Sequence, residues 1–248
     1  MADTKTALVT GAASGIGWAI SQRLARDGYQ VLMADRAESV QQAAASLAAE
    51  GAAAAEGLVA DVSSAAGIDA LRSKLGRRRV DVLVNNAGIS RGRAGFDVTA
   101  TTPEEWERVI AVNLTAPFLL SQVVVPGMRE RGWGRIVNIA SRAGRTGVLT
   151  GGLPYAASKA GLIGMTRALA LQCAAQGITA NSIAPGWVET PLTGRTPPVA
   201  AAKALQAIPL GRVAQPDEIA GIVAFLCSAD AAYITGAVID ANGGSFMG

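Results

Sequence analysis

Residues 6–28, TALVTGAASGIGWAISQRLARDG, constrain the fold more than any other stretch. They read as a short apolar strand, a glycine-rich turn and an amphipathic helix opening near Gly15. Glycines at 11, 15 and 17 let the backbone turn tightly and approach a bound group closely, and the helix N-terminus offers unpaired N–H groups and the positive end of its dipole. A pyrophosphate suits such a turn. A second strand, YQVLMAD, follows the helix and ends in Asp35, 20 residues after Gly15, where a carboxylate can accept hydrogen bonds from an adenosine ribose. The spacing is Gly-x-x-x-Gly-x-Gly, not Gly-x-Gly-x-x-Gly. The general dinucleotide fingerprint is therefore met through its context of strand, turn, helix and acid.

Strand and helix alternate along the whole chain, the signature of a parallel sheet with right-handed crossovers. The pattern predicts strands near 6–10, 30–34, 56–60, 81–84, 134–140, 178–184 and 236–239. It predicts helices near 16–27, 38–50, 65–75, 103–129, 153–175 and 216–227. The expected fold is α/β: one Rossmann-type domain over 1–248, a doubly wound parallel sheet of about seven strands with helices on both faces. With 248 residues, 50% hydrophobic and 17% charged, the chain suits one large core better than two small ones. QQAAASLAAEGAAAAEG reads as a helix and a turn, because alanine is the best helix former and Gly51 is a plausible stop. The least regular stretch, 187–200 (WVETPLTGRTPPVA), suits a flap over a substrate site.

Several function classes drop out. The net charge is only +3, and no basic stripe interleaves with aromatics, so nucleic acid is not expected as a partner. Arg77-Arg78-Arg79 reads as a solvated loop. The absence of histidine rules out a Ser-His-Asp triad, and two distant cysteines, Cys173 and Cys227, leave no credible metal site and no disulfide framework. The expected compartment is a reducing cytoplasm. Asp3 and Lys5 interrupt the N-terminus where a signal peptide would be apolar, and Asn113, Pro117 and Ser121 break the 109–128 stretch, so no membrane span is expected.

In PYAASKAG (154–161), Tyr155 and Lys159 stand one helical turn apart, with phenol and ammonium on one face. Bringing a tyrosine from its usual pKa near 10 to about 7 takes roughly 4 kcal/mol, close to what one ammonium at about 4 Å supplies at an effective dielectric of about 20. Such a pair exchanges protons near neutrality. The same spacing also describes a half-buried ring beside a solvated amine.

Taken together, these motifs resemble the short-chain dehydrogenase/reductase family from Thr6 to about Gly244. Thr10-Gly11-Ala12-Ala13-Ser14-Gly15-Ile16-Gly17 corresponds to the family's Thr-Gly-x-x-x-Gly-x-Gly, Asp61-Val62 to its adenine-side Asp-Val, and Asn85-Asn86-Ala87-Gly88 to its Asn-Asn-Ala-Gly. Asn113, Ser141, Tyr155 and Lys159 correspond to its catalytic four, and Pro185-Gly186 with Val188 and Thr190 to the segment beside the nicotinamide. The resemblance implies an oxidoreductase that interconverts a secondary alcohol and a ketone, with Tyr155 exchanging the proton. Ser141 would hydrogen-bond the substrate oxygen, and Lys159 would lower the tyrosine pKa and bind nicotinamide-ribose hydroxyls. Asn113 would hold a water that connects Lys159 to solvent, or cap a kink in its helix. The implied cofactor positions are Gly11, Ser14, Gly15, Ile16, Gly17, Asp35, Arg36, Asp61, Val62, Asn86, Ala87, Gly88, Tyr155, Lys159, Pro185, Gly186, Val188 and Thr190.

Asp35 favours NAD, because a carboxylate repels the extra phosphate of NADP. Arg36, next in the chain, is the counterweight. The substrate pocket is expected from 90–97, 142–153 and 187–200, with Ser90, Arg142, Leu149, Leu153, Trp187 and Leu192 as candidates beside Arg91, Arg93 and Arg145. The chain is also similar to 3-oxoacyl-carrier-protein reductases, which tend to prefer NADPH and carry an arginine where this chain has Gln176. The first expectation is thus an NAD-dependent enzyme on a small alcohol or ketone. The alternatives are an NADPH-dependent 3-oxoacyl-[acyl-carrier-protein] reductase and, in another class, a non-catalytic dinucleotide-binding regulator. A homotetramer is implied as well. A strip of small residues, Ala156, Ala160, Gly164 and Ala168, lies on one helix, and Val109, Val112, Ala116 and Leu120 lie on another.

Overall fold

The computed structural model describes residues 4–49, 54–90, 97–146, 151–191, 193, 202 and 205–248. Seven parallel strands form one sheet in the order β3-β2-β1-β4-β5-β6-β7. They are β1 (Thr6–Thr10), β2 (Gln30–Asp35), β3 (Ala55–Val59), β4 (Val82–Asn85), β5 (Gly134–Ile139), β6 (Ile178–Pro185) and β7 (Val238–Ala241). β1, β4, β5 and β6 are buried at every residue. Strands covered on both faces need no polar side, which is why these runs are nearly continuous in apolar residues. The strand order reverses between β1 and β4, and open sheets of this kind bind ligands at the carboxyl ends beside that reversal.

Two helical layers cover the sheet. On one face, α1 (Gly15–Arg26), α2 (Ser39–Ala49) and α7 (Pro216–Cys227) bring Ile20, Leu24, Leu47 and Val223 onto Val9, Val31, Met33, Val84 and Ile183. On the other, α3 (Ala65–Leu75), α5 (Ala116–Arg131) and α6 (Leu153–Cys173) bring Leu71, Leu120, Met128 and Cys173 onto Leu8, Leu32, Leu83 and Ile136. Adjacent residues of β1, such as Leu8 and Val9, serve opposite cores, as the two-residue strand period requires.

The helix expected over 103–129 is interrupted. α4 (Pro103–Ile110) passes into a π turn at Ala111–Thr115 before α5 begins, and Asn113 lies in that turn. Single π turns inside α-helices recur at functional sites. The polar residues of this run do not lower its hydropathy as far as expected: among the described residues, Pro103–Arg131 is long and apolar enough to cross a membrane, with a mean hydropathy of 1.8. Its packing explains that composition. Ala116, Leu120, Val124 and Met128 are spent on the sheet.

One of the two strips expected to serve assembly is taken up by the core. Val109, Val112, Ala116 and Leu120 are all buried in the chain's own core, whereas Ala160, Gly164 and Ala168 on α6 are exposed. Nor is Arg77-Arg78-Arg79 merely solvated. Arg78 pairs with Glu56 at 2.7 Å, and Arg79 pairs at 2.7 Å with the fully buried Asp81, whose other oxygen accepts from the Thr6 N–H at 2.9 Å. Asp81 thus locks β4 to β1 at the end of the sheet away from the site.

Candidate active site

The glycine turn is fastened to the sheet by two side chains. Thr10 Oγ1 accepts from the N–H groups of Asn86 and Ala87 at 3.1 and 3.0 Å, and Asn86 Nδ2 donates to the carbonyls of Thr10 and Gly11 at 2.8 and 3.2 Å. Gly11 (φ +64°) and Gly15 (φ +57°) occupy the left-handed region that glycine tolerates best. At Gly17, a Cβ would collide with the Gly11 carbonyl oxygen and lie 2.6 Å from Asn86 Nδ2. Ser14 precedes α1 in extended conformation, and its side chain makes no cap hydrogen bond. Asp35, at the end of β2, accepts from the Ala13 N–H at 3.1 Å and the Ala37 N–H at 3.0 Å. Its carboxylate is therefore anchored against the turn. A cavity of about 420 Å³ opens here, between Ala13–Gly15, Trp18 and the side chains of Ser39, Gln42 and Ser46 on α2. Arg36 is exposed, and its side chain forms no ion pair with described residues. On the neighbouring strand end, Asp61 accepts from the Ser63 N–H at 2.9 Å, and Val62 packs on the core.

The four other sequence candidates meet beyond the carboxyl ends of β4 and β5. Asn113 is fully buried; its Oδ1 accepts from the Ile89 N–H, and its Nδ2 donates to the Ile89 carbonyl and to Ser158 Oγ, at 2.9, 2.9 and 3.0 Å. Ser158 Oγ donates in turn to the Tyr155 carbonyl at 2.8 Å. Lys159, only 3% exposed, donates from Nζ to the Ile139 carbonyl at 2.7 Å and lies 5.8 Å from the Tyr155 ring centroid. The Ser141 hydroxyl accepts from the Ala143 N–H at 3.1 Å and stands beside the Tyr155 phenol, whose pKa it lowers. Gly88 lies against this group: a Cβ there would be 3.4 Å from Lys159 Nζ and 3.5 Å from Asn113 Oδ1. Ser158 and Thr10 are supporting residues to which sequence reasoning gave no role. Their signals were a serine one residue before the lysine and a threonine directly before the glycine turn.

A family model described as enoyl-(acyl carrier protein) reductase matches residues 11–245. A 3-oxoacyl-[acyl-carrier-protein] reductase of Pseudomonas aeruginosa is 43% identical over 98% of both chains. An acetoacetyl-CoA reductase of Rhizobium meliloti is 42% identical over 98% of this chain and 99% of the relative. Among solved structures, a Beutenbergia cavernae protein described as an NAD(P)-dependent gluconate 5-dehydrogenase, with NADP at low occupancy, superposes with a TM-score of 0.92 at 41% identity, covering 97% of this chain and 96% of that one. A Brucella melitensis 3-oxoacyl-[acyl-carrier protein] reductase with bound NAD gives 0.92 at 34% identity, covering 100% and 93%. The chain belongs to the short-chain dehydrogenase/reductase family. It is an oxidoreductase, and its cofactor is a nicotinamide dinucleotide. The glycine turn fits that group, since its close approaches leave no room for Cβ atoms at Gly11 and Gly17.

A segment after β6 returns to the glycine turn. The Gly186 N–H bonds the Ala241 carbonyl at 2.9 Å, Val188 is buried and bridges to Ala214, and Thr190 Cγ2 would lie 3.3 Å from a Cβ on Gly15. The substrate candidates fare differently. Ser90 and Leu153 stand near the cluster, Ser90 directly after Ile89 and Leu153 43% exposed at the start of α6. Arg142 does not face the phenol, because its Nη1 donates to the Ser245 carbonyl at 3.4 Å. Trp187 instead lines a separate cavity of about 610 Å³ with Ile208, Leu210, Ile219 and Met247, and none of the four candidate catalytic residues borders it. Leu149, Leu192, Arg91 and Arg93 lie outside the described residues, as does most of 192–200. No group of three Asp, Glu or Cys residues suited to a metal occurs among the described residues.

The electrostatics differ from the simple phenol–ammonium picture. Burial pushes the Tyr155 phenol above its usual range, with the Ser141 hydrogen bond opposing, and burial pulls Lys159 down to about 8. The ammonium is turned to the Ile139 carbonyl and lies 5.8 Å from the ring centroid, so it is not held against the phenol. Without cofactor, Tyr155 is a neutral phenol at neutral pH. Lys159 releases its proton near pH 8 in the folded protein and near 10.5 in the unfolded chain, so the unfolded chain binds more protons between those values. Stability of the cofactor-free protein is therefore expected to rise with pH in this window, by roughly 2 kcal/mol from pH 8 to about 9.5. Urea unfolding across that range measures it. Lys159→Met should abolish the rise, and parallel profiles for both proteins would contradict the assignment.

Proposed function

We propose that the chain interconverts a secondary alcohol and a ketone with NAD as hydride carrier. The observation that carries this reading is the Tyr155 phenol, standing beside the Ser141 hydroxyl and backed by buried Lys159, next to a dinucleotide turn. The nicotinamide supplies or accepts the hydride. Tyr155 gives its proton to the substrate oxygen during reduction and takes it back during oxidation, while Ser141 donates a hydrogen bond to that oxygen. Lys159 holds the nicotinamide ribose and favours the phenolate when its charge is brought close. Asn113 acts by fixing Ile89 and Ser158, and through Ser158 the first turn of α6. The intact constellation speaks against a non-catalytic regulator.

NAD is favoured by Asp35, anchored at the glycine turn with no cation bonded to its carboxylate among the described residues. The names of the relatives favour a second reading of the substrate, a 3-oxoacyl thioester, for which the reactive group is the same ketone. Docking of an acidic carrier is weakened by Gln176, a neutral side chain with a buried, unpartnered Oε1. We further infer one domain over 1–248, with 187–200 as a flap, acting in the cytoplasm as a homotetramer. The exposed strip at Ala160, Gly164 and Ala168, with open space at Gly164, supports that assembly.

A panel of small secondary alcohols, their ketones and acetoacetyl-CoA, run with both cofactors in both directions, tests the reading. Wild-type protein should turn over at least one ketone. Tyr155→Phe should bind NADH nearly as well while losing turnover by about 100-fold or more. Near-normal turnover of that variant would overturn the mechanism. Asp35→Ser should shift cofactor preference toward NADP by more than about tenfold, about 1.4 kcal/mol. A wild-type preference for NADP would show the Asp35 argument to be mistaken.

A further inference from the structure

Arg142 and Arg145 stand on the turn that carries Ser141, yet both reach away from the phenol. Arg145 Nη2 lies 3.2 Å from Asp240 Oδ2 on β7 and donates to the Gly248 carbonyl at 2.6 Å, and its guanidinium stacks 5.1 Å from the Phe246 ring centroid. Arg142 adds the bond to the Ser245 carbonyl. The C-terminal segment that receives them is itself folded back on Asn242, whose Oδ1 accepts from the Phe246 N–H at 3.2 Å. The turn is tight: the Gly144 N–H bonds the Ser141 carbonyl at 3.0 Å, and the Arg145 N–H bonds that of Arg142 at 2.9 Å. Its other side rests on α6, where a Cβ on Gly144 would be 2.6 Å from the Lys159 carbonyl carbon. The turn is thus clamped between α6 and the C-terminal segment. The Arg145 and Asp240 side chains are only 16% and 18% exposed, so this pair is screened far less than a surface ion pair.

We propose that Arg145 is a positioning residue for the reaction: by tying the Ser141 turn to Asp240 and the C-terminal segment, it holds the Ser141 hydroxyl against the Tyr155 phenol. The inference rests on Ser141 and Tyr155 being the reacting pair. Displacements well under 1 Å matter at such a pair, because catalytic rates depend steeply on alignment.

A double-mutant cycle tests it, with single-turnover NADH oxidation measured on the ketone reduced fastest in the panel. Arg145→Ala should slow that step by about tenfold, with NADH affinity within about twofold of wild type, and Arg145→Lys should restore most of the rate. In the Ser141→Ala background, Arg145→Ala should cost nothing further, because no hydroxyl remains to misplace. A wild-type rate for Arg145→Ala, or an equal loss in both backgrounds, overturns the inference. If Arg145→Ala does not fold, Asp240→Asn in the same two backgrounds gives the same decision. Full activity of Ser141→Ala would instead overturn the catalytic reading, which keeps the two failures distinct.

Discussion

A lysine ammonium buried at the carboxyl edge of a parallel sheet is the constraint on which the site depends. Burying a charge is costly unless it is hydrogen-bonded, and Lys159 answers that cost with the carbonyl of Ile139, the last residue of β5. That bond places residue 159 of α6 over the end of β5. Tyr155 then falls one turn earlier, beside Ser141, and Ser158 faces Asn113. The π turn is the matching adjustment on the other helix. It sets the amide of Asn113 between the Ile89 backbone and Ser158, so both ends of that side chain are satisfied.

The cofactor half and the chemical half are joined below this layer by polar side chains within the core. Thr10 and Asn86 lock the glycine turn to the end of β4, while Asn85 Nδ2 donates to Asn138 Oδ1 and Asn138 Nδ2 to Thr166 Oγ1, each at 2.8 Å. This chain runs from β4 through β5 to α6. Such bonded polar side chains fix the arrangement of the elements that carry them, although the buried Asn85 Oδ1 has no partner among the described residues. The dinucleotide turn and the helix bearing Tyr155 are therefore held in one frame.

Much of this was legible because local chemistry and tertiary placement agree. α3 and α7 begin where expected, at Ala65 after the capping Ser64 and at Pro216 inside a Gln215–Glu218 capping box. The glycine turn, Asp35 and the cluster of Asn113, Ser141, Tyr155 and Lys159 were visible as motifs. The π turn was not, since AVNLT has ordinary helical periodicity and only packing reveals the extra residue. The directions of Arg142 and Trp187 were not legible, because chain proximity to the site says nothing of side-chain direction; one reaches the C-terminal segment, the other lines a separate cavity. Of the apolar strip over 109–120, Ala116 and Leu120 pack on the sheet while Val109 and Val112 are buried, so the strip serves the chain's own core, the commoner use of such a face. Spacing also could not foresee that Lys159 would turn to a carbonyl and that burial would outweigh Ser141 in setting the phenol's pKa.

The central claim is that Tyr155 is a half-buried phenol whose proton the cofactor-bound site makes available. The chain has three tyrosines, so ¹³Cζ labelling gives three resonances to titrate. Burial pushes Tyr29 up to about 12 and Tyr233 is fully exposed, so single Tyr→Phe variants assign them readily. The account predicts that Tyr155 stays protonated past about pH 10 in the cofactor-free protein, and that saturating NAD⁺ lowers its midpoint by more than about one unit as cationic charge reaches the phenol. Titration below about pH 8 without cofactor, or a midpoint that NAD⁺ leaves unchanged, would contradict it.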